Sequence, residues 1–142
     1  MKKIAKISLD IGIYAAIAVG LVWGLPKVLS RVLGTPYPMA TITSGSMWPV
    51  LKEGDLILIQ AVPKQALRAG DIVVWRNPQG FTIHRVVELG SETFITKGDA
   101  NFTDDAPVRY ADLIGRTVAI GGQPVRIPYI GFISITASKY GK

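Results

Sequence analysis

Cysteine is absent from this 142-residue chain. That excludes a disulfide scaffold, a thiolate nucleophile and thiolate metal sites, and leaves the redox compartment undecided. Histidine occurs once, as His84, which leaves too few imidazoles for an ordinary zinc site; no metal or cofactor is expected. Aromatic residues are 8% of the total and are not interleaved with the basic residues as a base-stacking platform requires. The net charge of +6 therefore suits anionic lipid better than nucleic acid. The length allows one domain and a short appendage.

Charge is also missing from Ile11 to Pro26. As a helix that run spans about 24 Å, somewhat short of a hydrocarbon core of about 30 Å. Lys6 and Lys27 flank it and can snorkel to the two interfaces, and Trp23 sits where an interfacial aromatic belongs. Lys2, Lys3, Lys6 and the amino terminus outweigh Lys27 and Arg31 on the far side, so the positive-inside bias assigns residues 1–10 to the cytoplasm. Residues 11–33 are then a single-pass anchor helix in the cell membrane, and residues 34–142 an extracytoplasmic domain. A cleaved secretory signal fits less well, because Leu25-Pro26-Lys27-Val28-Leu29 offers no small-x-small site. A buried helix of a soluble protein is the other reading of so short a run.

Leu33-Gly34-Thr35-Pro36-Tyr37-Pro38 predicts a helix stop and an extended linker. Beyond it the chain is rich in Val, Ile and Thr, punctuated by glycine, without a long helical period. Strands are predicted from Leu56 to Ile59, Ile72 to Trp75, Phe81 to Leu89, Thr93 to Thr96 and Leu113 to Ile120. Gly54-Asp55 and Gly70-Asp71 open two of them as ordinary turn chemistry, with no function assigned to either aspartate. The expected fold is mainly β: a small domain of two antiparallel sheets, partly barrel-like, behind one N-terminal transmembrane helix. Ile127 to Ala137 is too short and too broken by Pro, Gly and Ser to span a membrane; it either rests on the bilayer surface or completes the β core.

One hairpin is legible in detail. Gly90-Ser91, between Leu89 and Glu92, suits a type II′ turn. In a tight, unbulged hairpin Val87 faces Phe94 and His84 faces Lys97. Phe81, Ile83, Val87 and Leu89 then form the main apolar face, with Thr82, His84, Val86 and Glu88 on the other. Asp99 becomes a diagonal neighbour of His84, and Lys97 opposite would favour the neutral imidazole that a base requires.

A serine in a glycine-containing turn needs a base to attack at neutral pH. Ser44-Gly45-Ser46-Met47-Trp48-Pro49 supplies such serines upstream of the only imidazole. Taken singly, a Ser-Gly-Ser turn, a half-exposed strand histidine and the acidic loop Lys97-Gly98-Asp99-Ala100-Asn101-Phe102-Thr103-Asp104-Asp105 need have no function. Their order behind an apolar anchor changes that reading. Ser46-Met47-Trp48-Pro49 resembles the nucleophile box of type I signal peptidases. Gly70-Asp71-Ile72-Val73-Val74-Trp75 through Ile83-His84-Arg85-Val86-Val87 resembles their general-base strand, and Lys97-Gly98-Asp99 to Asp105 their acidic box. His84 stands where bacterial members carry lysine, so the resemblance is to the archaeal and endoplasmic-reticulum branch. It covers roughly residues 36–131, with Ala100 departing from the usual Gly-Asp-Asn-Asn of the acidic box.

The resemblance implies a membrane-bound serine endopeptidase that removes N-terminal signal peptides from secreted preproteins. It makes Ser46 the nucleophile and His84 the general base, with Asp105 orienting the imidazole and Asp99 supporting the site. The Ser46 N–H and the Ser44 hydroxyl would hold the oxyanion. Strands leading into the site, at Ile42, Thr43, Thr82 and Ile83, are candidates to bind substrate as an added strand, with small residues expected at the first and third positions before the cut. Met47-Trp48 would dip into the membrane interface. The implied partners are preprotein signal peptides, the lipid bilayer, and accessory membrane subunits or a secretion translocon. A catalytically inactive, membrane-tethered peptide-binding relative or accessory subunit keeps the same fold and assigns no chemistry to Ser46. A self-cleaving repressor would use a lysine base and a soluble DNA-binding half, against which the apolar N-terminus argues.

Overall fold

In the computed structural model, which describes residues 2–140, one unbroken helical rod precedes a β domain. The rod runs through α1 (Lys2–Val19), one π turn (Gly20–Gly24) and α2 (Leu25–Leu33). Pro26 accounts for the π turn. It has no N–H to donate and its ring crowds the carbonyl one turn back, so the Leu25 N–H reaches to the Gly20 carbonyl instead. From Lys6 to Leu33 the rod has 28 residues, and its most apolar 18-residue window has a mean hydropathy of 1.8, long and apolar enough to cross a membrane. None of its most apolar window is buried against protein, the opposite of what a core helix shows. Gly34, left-handed at φ 67°, ends α2, and the Ser30 hydroxyl donates to the Thr35 carbonyl at 2.7 Å. Met1, Gly141 and Lys142, which the sequence assigns to the cytoplasmic N-terminus and to the end of the catalytic domain, lie outside the described residues.

The strands are β1 (Met39–Thr41), β2 (Leu56–Gln60), β3 (Ile72–Asn77), β4 (Gly80–Leu89), β5 (Thr93–Lys97), β6 (Val108–Arg109), β7 (Leu113–Thr117), β8 (Ala119–Ile120), β9 (Gln123–Pro124) and β10 (Arg126–Ile127). A helix, α3 (Gly131–Tyr140), follows. The predicted strands all fall on observed ones, except that the last splits at Val118, whose N–H turns to the Leu58 carbonyl at 2.9 Å. One antiparallel sheet runs β1-β2-β7-β3-β4-β5-β6, with β10 also on β2, and β8 and β9 form a separate ribbon. The sheet does not close: among the described residues its path ends at β1 and at β6. The described residues therefore form no closed barrel. The short strands β1, β6, β9 and β10 carry too few residues to show an alternation in sequence.

β3 reads Ile72-Val73-Val74, all buried, because the sheet is covered on both faces. Ile72 and Val74 belong to a cluster with Ile42, Met47, Leu51, Ile57 and Ile59. Val73 belongs to a second cluster with Leu67, Val86, Phe94 and Val108. Burying a large apolar side chain stabilises by about 1.5–3 kcal/mol, so Met47 and Leu51 pin the turn that carries Ser46 to the first cluster. Met47 is consequently interior and does not dip into a membrane interface; only Trp48 of that pair is exposed.

The hairpin register differs from the unbulged one. Gly90 N–H bonds the Thr93 carbonyl at 2.8 Å, which makes Ser91-Glu92 the two-residue loop. Leu89 and Glu88 pair with Phe94 and Ile95, but Val86 and Arg85 pair with Thr96 and Lys97. Val87 is the extra residue of a β-bulge and points to solvent, 41% exposed, rather than facing the buried Phe94. Arg85, not His84, thus faces Lys97, whose amine instead lies 3.4 Å from Asp104. His84 pairs with Val73 on the face of the second cluster and is 8% exposed, so it is not set apart from the apolar interior.

Candidate active site

The turn after β1 is tight. Trp48 N–H bonds the Gly45 carbonyl at 3.0 Å and Leu51 N–H bonds the Met47 carbonyl at 2.9 Å. With Met47 held in the core, the half-buried Ser46 side chain faces β4, and its Oγ lies 3.2 Å from His84 Nε2. On the other side of the ring, Nδ1 lies 2.6 Å from Asp105 Oδ2. An ionised carboxylate only accepts, so the proton belongs on Nδ1 and Nε2 is left to accept from Ser46. The Ser44 hydroxyl is 3.3 Å from that of Ser46.

Asp105 is held from two sides. Its N–H bonds the Thr96 carbonyl at 2.8 Å, and the Thr96 hydroxyl donates to Oδ2 at 2.7 Å. The indole N–H of Trp75 donates to the Thr96 hydroxyl at 3.2 Å. Trp75 carries no sequence signal of a role, and for Thr96 the clue available is a threonine just ahead of the acidic box, one residue past Ile95.

Asp99 does not touch His84. The register change turns it to Arg85, whose Nε and Nη2 meet its two oxygens at 2.7 and 2.6 Å. Hydrogen bonding to this carboxylate, helped by its charge, holds the Arg85 guanidinium above its usual pKa against the opposing effect of burial. Arg85 also donates to the Gly70 carbonyl at 2.8 Å. One residue beyond Asp99, Ala100 N–H bonds the Ser46 carbonyl at 2.8 Å. The Arg85–Asp99 pair therefore clamps the acidic loop between β4 and the serine turn. Gly98 makes the approach possible, since a Cβ there would lie 2.7 Å from the Ser46 carbonyl oxygen.

A cleft of about 580 Å³ ends at Ser46 and His84. Residues 39–44 form one wall and residues 81–84 the other, with Asn101 at the rim. Thr43, Thr82 and Ile83 line it; Ile42 lines it too, but its side chain is buried in the first cluster. Residues 80–84 of β4 pair with β3, while β5 begins to pair only at Arg85. The first half of β4 so keeps a free main-chain edge among the described residues, available to an extended peptide.

A hydroxyl, an imidazole and a carboxylate thus stand in series at the end of a strand-edged cleft. The family model described as Peptidase S24-like matches residues 20–117, and the chain belongs to that family. It is 30% identical over 138 residues to the signal peptidase complex catalytic subunit SEC11C of Homo sapiens, covering 86% of this chain and 67% of that protein. To the signal peptidase complex catalytic subunit SEC11 of Colletotrichum graminicola it is 36% identical over 124 residues, covering 80% of this chain and 72% of that one. The corresponding subunit of Verticillium alfalfae is 31% identical over 125 residues, with the same coverage of 80% and 72%. These relatives lie in the branch of type I signal peptidases that the sequence motifs resemble.

Proposed function

We propose that this protein is a membrane-bound serine endopeptidase that removes N-terminal signal peptides from secreted preproteins. The observation that carries the reading is the unbroken series from Ser46 Oγ to His84 Nε2 at 3.2 Å and from Nδ1 to Asp105 at 2.6 Å, open to the cleft. Ser46 Oγ attacks the scissile carbonyl as its proton passes to Nε2. The tetrahedral species collapses with the C–N bond breaking and that proton going to the leaving amine. Water then repeats the sequence on the acyl-enzyme, returning the proton to Ser46. Asp105 fixes the ring and stabilises the imidazolium between the transfers.

The Ser46 N–H and the Ser44 hydroxyl hold the oxyanion; one such donor typically contributes about 3–4 kcal/mol to transition-state stabilisation. Substrate adds as a strand along residues 42–44 and 81–83, and the Arg85–Asp99 clamp supports the serine turn. The helix from Lys6 to Leu33 spans the cell membrane once with the N-terminus cytoplasmic, so enzyme and anchored precursor share one bilayer and meet at high effective concentration. Accessory membrane subunits or a secretion translocon are the expected partners, in keeping with the complexes named for the relatives. The test is incubation of the purified chain, and of its Ser46→Ala form, with a labelled secretory precursor, mapping the cut by mass. Cleavage after a signal peptide by the parent alone is expected; undiminished cleavage by Ser46→Ala refutes the assignment.

A further inference from the structure

We propose that Thr96 is a positioning residue of this catalytic series, its hydroxyl polarised by Trp75; the inference rests on the serine endopeptidase reading. Thr96 is 0% exposed, so its hydroxyl must find protein partners or incur the cost of a buried, unpaired polar group. Trp75 can only donate through its indole N–H, and at 3.2 Å it fills one acceptor site of the Thr96 oxygen. The single hydroxyl proton is thereby left for Asp105 Oδ2, 2.7 Å away.

That same carboxylate oxygen receives the Nδ1–H of His84. Asp105 stands in the irregular segment between β5 and β6, outside the ladder, and its side chain is 23% exposed. Besides the His84 ring, two hydrogen bonds restrain this residue. Thr96 supplies both restraints, its carbonyl to the Asp105 N–H and its hydroxyl to the carboxylate. The bulge at Val87 sets Thr96 opposite Val86, two residues from His84 and on the same face. A core position filled for shape alone needs no hydroxyl there, since valine has the same outline.

The test uses the full chain in detergent micelles with a fluorogenic signal-peptide substrate. Thr96→Val should lower kcat about 10- to 100-fold, the scale of one hydrogen bond to a charged group, with KM nearly unchanged. Thr96→Ser should recover most of that loss, and Trp75→Phe should lower kcat several-fold. Combined with Asp105→Asn, neither Thr96→Val nor Trp75→Phe should slow the enzyme further, because each acts through that carboxylate. A wild-type kcat for Thr96→Val beside an impaired Asp105→Asn overturns the proposal, as does a loss that multiplies in full on Asp105→Asn. Should Thr96→Val not fold, Trp75→Phe carries the test, and a wild-type kcat there overturns it. Full cleavage by Ser46→Ala is a separate failure, that of the serine endopeptidase reading itself.

Discussion

Gly98→Ala is the substitution that most directly tests how the acidic loop serves the serine. An alanine Cβ would sit 2.7 Å from the Ser46 carbonyl oxygen, 2.7 Å from Asn101 Nδ2 and 2.8 Å from Asn101 Cγ. The Asn101 amide is the end of a side chain and can swing aside. The Ser46 carbonyl is main chain and cannot move without moving the Ser46 side chain. Relief therefore requires the loop to retreat by several tenths of an ångström, which strains the 2.8 Å bond from Ala100 N–H to that carbonyl. Overpacking of this kind costs about 1–3 kcal/mol and a weakened backbone hydrogen bond about 1 kcal/mol more. A misplacement approaching an ångström at the reacting atom costs up to about 10²-fold in rate. Gly98→Ala should accordingly lower both the melting temperature, read by tryptophan fluorescence on the full chain in detergent, and kcat for a signal-peptide substrate. An unchanged kcat and an unchanged melt would refute the argument that the loop approaches the serine main chain this closely.

Asp105→Asn should reduce kcat by up to about 10⁴-fold with the fold intact, since an amide can stabilise the wrong imidazole tautomer; steady-state cleavage with a circular dichroism control checks both halves. Arg85→Lys keeps the charge but loses the paired donors to Asp99, and should destabilise by about 1–2 kcal/mol in denaturant titration. Because Arg85 and Asp99 act as one clamp, Arg85→Lys with Asp99→Asn should be little worse than either alone. The guanidinium is held above its ordinary pKa, so its share of stability is present below the unfolded value and lost only as pH rises through the still higher folded one. Raising the pH through the usual alkaline assay range should therefore not release the clamp. Asp55, 2% exposed, accepts from Lys52 N–H at 2.9 Å and from Arg126 at 3.0 Å. Asp55→Ala should cost about 1–3 kcal/mol of stability, by freeing the β10 segment, while turnover per folded molecule stays unchanged.

The strands that could be read from sequence were the longer runs rich in Val, Ile and Thr, and the N-terminal helix and its stop at Gly34 follow from the charge gap and a single glycine. What resisted was geometry set by one residue. From the hairpin sequence alone, Gly90-Ser91 is a better turn than the observed Ser91-Glu92, and nothing marks Val87 as a bulge. The fold decides both, because Phe94 has to be interior and Val87 is the residue that can be spared to solvent. That decision brings Arg85 opposite Lys97 and hands Asp99 to the arginine. The apparent proximity of Asp99 to His84 was a product of the unbulged register and disappears with it.

The two aspartates then divide along a physical line that spacing cannot reveal. Asp99 lies one residue from the loop N–H that bonds the serine carbonyl, and a bidentate arginine suits a point that must hold main chain in place. Asp105 lies farther on, where Asp105 N–H bonds back to Thr96 on the strand beside His84, and a buried hydroxyl suits a carboxylate whose remaining partner is an imidazole. One acid holds the loop that meets the Ser46 main chain, and the other meets the His84 ring. The chain thus needs its acidic box to return twice toward the sheet, and Gly98 allows the first return because it brings no side chain between loop and serine.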